Sequence, residues 1–114
     1  MRAFFETSES HTQPHLKPLR VAMRVDAVWD EAKSLVADLP GWSVTSADDK
    51  QFVLLCKRRK RFLSGDATIT IRCEGPADIP STTVHVRSES AGGLIARDKA
   101  NIIEFIVPFE RRVC

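Results

Sequence analysis

The sequence predicts an α+β domain: a single antiparallel sheet of about five strands packed on two helices, in the order β-α-β-β-β-β-α. Three observations point to it. Residues Ala67 to Cys73 and Thr83 to Arg87 alternate strictly between apolar and polar side chains. An amphipathic stripe runs from Asp26 to Leu39 and stops at Pro40-Gly41, and a wider stripe runs from Ile102 to Phe109. At 114 residues, 43% of them apolar and 28% charged, the chain has the size and composition of one globular domain that buries about two-thirds of its unfolded surface. The expected division is an extended or flexible arm over 1–18, a single domain over 19–110 and a tail over 111–114.

Bulk properties set limits on function. A net charge of +2 is too small to argue for nucleic acid or an anionic membrane. Cys56, Cys73 and Cys114 are odd in number and widely spaced, so neither a disulfide framework nor a zinc site is indicated, and a reducing, cytoplasmic location is expected. Met1 to Glu6 lacks the apolar stretch of a signal peptide, and no run of about eighteen apolar residues exists, so no membrane span is expected.

Taken in order, residues 6–18 are polar, carry Pro14 and Pro18 and show no periodicity. His11 and His15 are four apart, but Pro14 between them disfavours a shared helical face, and no metal is expected. Leu19 to Arg24 alternates as a half-buried strand. Asp26 is the candidate N-cap of a helix through Leu39, with Trp29, Ala32, Val36 and Leu39 on one stripe flanked by Val28 and Leu35. Trp42 to Ser46 and Gln51 to Lys57 read as strands joined by the polar turn 47–50. The second puts Phe52, Leu54 and Cys56 on one face and Val53 and Leu55 on the other, which implies cover on both sides, a cavity or an interface.

Lys57, Arg58, Arg59, Lys60 and Arg61 then form a basic run, readable as a nucleic-acid patch or as a solvated strand end. It lacks interleaved aromatics, so nucleic acid is not the favoured partner. Asp66 to Cys73 and Ser81 to Ser88 should pair as a hairpin, Ala67, Ile69, Ile71, Cys73, Val84 and Val86 facing in and Thr68, Thr70, Arg72, Thr83, His85 and Arg87 facing out. Arg72, His85, Arg87, Ser88 and Ser90 are the polar surface candidates. After the turn at Gly92-Gly93, Asp98 opens the last helix, which Pro108 should end or kink.

Three blocks carry a family resemblance: Gly65-Asp66 entering an alternating strand, Val86-Arg87-Ser88-Glu89-Ser90 with Gly92 after it, and Asn101-Ile102-Ile103-Glu104-Phe105. From about Pro14 to Phe109 the chain resembles domain-of-unknown-function family 1499, small bacterial and plastid proteins of unestablished activity. The residues between Gly92 and Asn101 depart from that family's pattern. The resemblance implies a domain and assigns no catalytic residue. The element order is also similar to TATA-binding-protein-like and helix-grip arrangements, in which a curved sheet wraps a C-terminal helix. That analogy implies a cavity between sheet and helix, with Trp29, Phe52, Leu54, Ile69, Ile71, Val84, Ile102 and Ile106 as candidate pocket residues.

An enzyme needs a nucleophile with a base, a carboxylate pair or a metal cluster. The candidates are His85, Ser88, Glu89, Ser90, Asp66 and Asp98; His85 and Ser88 fall on opposite faces of their strand, and serines at a strand exit more often satisfy backbone groups, so no catalytic residue and no cofactor is expected. The expected function is a non-catalytic binding module for a small apolar ligand or a partner protein. A self-associating homodimer, or weak nucleic-acid binding through residues 57–61, is the alternative.

Overall fold

In a computed structural model, residues 2–11, 13–59, 67–91 and 95–114 are described. The strands are β1 (Arg2–Glu6), β2 (Leu19–Val21), β3 (Trp42–Asp48), β4 (Val53–Arg58), β5 (Ala67–Glu74) and β6 (Thr82–Ala91). The helices are α1 (Val25–Asp38) and α2 (Ile95–Val113), and a 3₁₀ turn spans Pro14–Leu16. All strands join one antiparallel sheet in the order β1-β6-β5-β4-β3, with β2 on the same edge of β6 as β1. The α+β architecture is therefore as the periodicities predict, with a sixth strand.

Register explains the core. Leu54 lies opposite Ile71 and Cys56 opposite Ile69, while Ile71 faces Val86 and Cys73 faces Val84. One side of the sheet thus becomes a continuous apolar surface, and both helices bury their stripes against it. Val28, Trp29, Ala32, Leu35 and Val36 of α1 and Ile102, Phe105, Ile106 and Phe109 of α2 complete the cluster. Each large aliphatic or aromatic side chain withdrawn there is worth about 1.5–3 kcal/mol of transfer free energy.

Several boundaries correct the expectations. Residues 2–6, assigned to an extended arm, form a strand because β6 runs on to Ala91 and leaves an edge to be paired. Arg24, not Asp26, is the N-cap residue of α1, and it makes no side-chain cap. Asp26 sits in the first turn, where its carboxylate accepts from the Ala27 N–H at 2.9 Å. Pro108 does not end α2, which continues to Val113, a residue 8% exposed in the core rather than in a free tail. Gly41 takes φ +79° just after α1, a left-handed turn at which a side chain would also meet the Arg58 guanidinium. Lys60, Arg61, the Gly65-Asp66 entry and Gly92-Gly93 lie outside the described residues.

Candidate functional site in the sheet-helix clasp

Strand β6 presents Val84, Val86, Ser88 and Ser90 on its concave side, so the apolar row turns polar at its end. The first turn of α2 brings Asp98 over these serines, and Asn101 follows one turn later on the same face. Ser88 Oγ donates to one Asp98 carboxylate oxygen at 2.7 Å and Ser90 Oγ to the other at 3.1 Å, while Asn101 Nδ2 donates to Ser88 Oγ at 3.2 Å. Asp98 and Ser88 are 0% exposed, and Ser90 and Asn101 are also buried. Withdrawing a carboxylate from water costs several kcal/mol unless hydrogen bonds replace the lost hydration. Two hydroxyl donors and the positive end of the helix dipole supply that replacement.

A second polar contact braces the clasp. Arg58 shares the concave row with Leu54 and Cys56, and its guanidinium grips Glu104 of α2 through Nε at 2.7 Å and Nη2 at 3.3 Å. The Trp42 indole N–H donates to the same carboxylate, and the Trp42 ring lies 6.2 Å from that of Phe105. Lys57 and Arg58 of the basic run therefore do not share a face. Alternation along β4 sends Lys57 to the convex side and Arg58 to the concave side, and the Arg59 N–H is spent on the Gly41 carbonyl at 2.7 Å.

Of the residues assigned to an apolar pocket, Leu54, Ile69, Ile71, Val84, Ile102 and Ile106 are core side chains no more than 1% exposed, and Trp29 is equally part of the core. Phe52 sits outside β4, at a turn with φ 56°, its ring edge-on to Trp29 at 5.7 Å. The Trp29 indole donates to Asp49 at 2.7 Å and Lys33 to the same oxygen at 3.1 Å, which together hold the Asp49 carboxyl below its ordinary value. Ser88 and Ser90, assigned to the polar surface, belong to the buried network because even-numbered residues of β6 point inward. Arg72, His85 and Arg87 do lie on the convex side, around a cleft of about 100 Å³. Burial pushes the Cys56 and Cys73 thiols up to about 12. Among the described residues no three His, Cys, Asp or Glu side chains converge, and no helix is long and apolar enough to cross a membrane.

From the sequence, neither Asp98, a candidate weighed and set aside, nor Asn101, which is not among the candidates, is singled out. The signal was present nonetheless: both occupy the apolar stripe of α2, four residues before Ile102 and Phe105 respectively, where a polar side chain must find a buried partner.

No protein-family profile and no curated protein matches the chain. Among solved structures, the chain is similar to the ZhuI aromatase/cyclase from Streptomyces sp. R1128, with 13% identity and a TM-score of 0.54 over 98% of this chain and 88% of that one. It is likewise similar to CalU16 from Micromonospora echinospora, with 14% identity and a TM-score of 0.55 over the same shares. The fold is the helix-grip fold. In helix-grip terms, α2 is the gripped helix and the concave sheet the hand around it. An aromatase/cyclase built on this architecture overturns the expectation of a non-catalytic module for an apolar ligand or a partner protein.

Proposed function

We propose that the chain is an enzyme acting on a small, largely apolar carbonyl compound that is admitted at the Asp98 end of the clasp, where the packed core between the sheet and α2 gives way to polar side chains, with Asp98 as the group that takes and returns a proton. The observation that carries this reading is the fully buried Asp98 carboxylate, fixed by Ser88 and Ser90 at the polar end of an otherwise apolar clasp. A positioned carboxylate is a standard general acid-base group, and the hydroxyls and amide around it are the donors that a developing oxyanion requires. A proton leaves the carbon next to the substrate carbonyl for an Asp98 oxygen, and the electron pair moves onto the carbonyl oxygen. Ser88 or Asn101 donates to that enolate until Asp98 returns the proton. The structural similarity to an aromatase/cyclase supports a catalytic use of the fold.

Ser88, Ser90 and Asn101 also carry the resemblance to domain-of-unknown-function family 1499. We place the chain in that family as part of the same proposal: the residues that mark the family are those that build the network. The three free cysteines support a reducing, cytoplasmic setting.

Titration of isotope-labelled protein with an aryl 1,3-diketone tests the location. Saturable shifts of the Ser88, Ser90, Asp98 and Asn101 amides are expected. Shifts confined to the convex face, or none at all, contradict the proposal.

A further inference from the structure

The edge of β6 carries a gap. β1 leaves it at Glu6, opposite Arg87, and β2 joins it at Leu19, opposite Val84, so neither strand pairs with His85 or Val86. Thr7 fills the backbone position: its N–H donates to the Val86 carbonyl at 2.9 Å, and its hydroxyl oxygen accepts from the Val86 N–H at 3.1 Å. On the convex side this leaves the cleft of about 100 Å³ lined by Glu6, Thr7, Thr70, Arg72, His85 and Arg87. That is room for a small ion, since about 10–15 Å³ of such volume already holds a water.

The sheet register makes these side chains a grid. Arg72 lies directly opposite His85 and Thr70 directly opposite Arg87, so the two arginines stand on a diagonal, about 7–8 Å apart at the backbone and within reach of long side chains. Each guanidinium carries five N–H donors. Glu74 takes Arg72 at 2.7 Å and also faces His85 at 3.3 Å. Glu6 stands 3.8 Å from Arg87, an ion-pair distance outside hydrogen-bond range, with more than half of its side chain exposed. Arg87 also rests on the Phe4 ring, 4.1 Å from its centroid, which fixes its direction. Glu74 therefore holds Arg72 more closely than Glu6 holds Arg87.

We propose that this cleft binds a small oxyanion of phosphate or carboxylate type between Arg72 and Arg87, with Thr70 and the Thr7 hydroxyl as further donors. The anion takes the place of Glu6 on Arg87, an exchange that costs little because exposed ion pairs are worth about 0–1 kcal/mol. The site is independent of the Asp98 clasp, on the opposite face of the sheet.

Separate titrations with inorganic phosphate and with acetate, followed by amide shifts at constant ionic strength against chloride, test it. Saturable shifts at Thr7, Thr70, His85 and Arg87 are expected from at least one of the two, and the tighter one identifies the ligand class. Arg87→Gln should weaken that binding about tenfold or more, Glu6→Gln should tighten it, and Asp98→Asn should leave it unchanged. Circular dichroism confirms that the surface variants remain folded. Absence of saturable shifts with both anions, or equal affinity in Arg87→Gln and wild type, overturns the proposal.

Discussion

Asp49 shows how much one exposed carboxylate can be altered by its neighbours. The Trp29 indole N–H and then Lys33 hold its carboxyl below the ordinary value of 3.8. Because the folded value lies below the unfolded one, the pair stabilises the fold above about 3.8 and loses that contribution as pH falls through the lower folded value. Asp49→Asn should therefore unfold at lower urea concentration than wild type at neutral pH, and the difference should close in acid. Cys56 and Cys73 run in the opposite sense. Their values are raised from 9.0 to about 12, so burial of the neutral thiol favours the fold in full below 9.0 and is lost as pH rises toward 12. Alkylation at neutral pH should add one group, at the exposed Cys114, to native protein and three to unfolded protein, as read by intact mass.

At the level of elements, legibility followed local pattern. β5 and β6 were readable because their alternation is carried by adjacent residues, and α1 because Pro40-Gly41 punctuates it. β1 was not readable: Arg2-Ala3-Phe4-Phe5-Glu6 has no strict alternation, and its reason to be extended is the edge of β6, about eighty residues away. α2 passes through Pro108 because burying Phe109 and Val113 outweighs the hydrogen bond lost by the Glu104 carbonyl. Phe52 leaves the strand for a left-handed conformation that an aromatic residue adopts only under tertiary constraint, here the Trp29 ring and the Cys73 N–H bond to its carbonyl at 3.0 Å. Glu104 is a polar contact through which β3 and β4 hold α2, since it accepts from both Trp42 and Arg58. Glu104→Ala leaves those donors without their acceptor in a half-buried setting. It should cost about 1–3 kcal/mol, measured by denaturant unfolding.

At the level of the whole molecule, the sheet and α2 bring together residues whose meaning the sequence separates. Ser88 and Ser90 were visible as polar residues of a strand, Asp98 as the start of a helix and Asn101 as part of a family pattern. Nothing in their spacing places Asp98 between the serines, because that depends on how the chain turns between β6 and α2. Lys57 and Arg58, adjacent in the basic run, are likewise separated: a strand sends neighbours to opposite faces, and Arg58 is engaged by Glu104. Of the apolar residues assigned to a pocket, Leu54, Ile69, Ile71 and Val84 lie on the sheet face that the helices cover, where they fill the core. What distinguishes the clasp from a simple core is the polar end at Asp98. Exchange of the α-protons of an aryl 1,3-diketone for deuterium, followed by nuclear magnetic resonance, tests that distinction most directly. Wild-type protein should accelerate exchange over buffer, and Asp98→Asn, shown to be folded by circular dichroism, should lose about a hundredfold or more of that acceleration. Equal exchange by wild type and Asp98→Asn, or no acceleration by wild type, would contradict it.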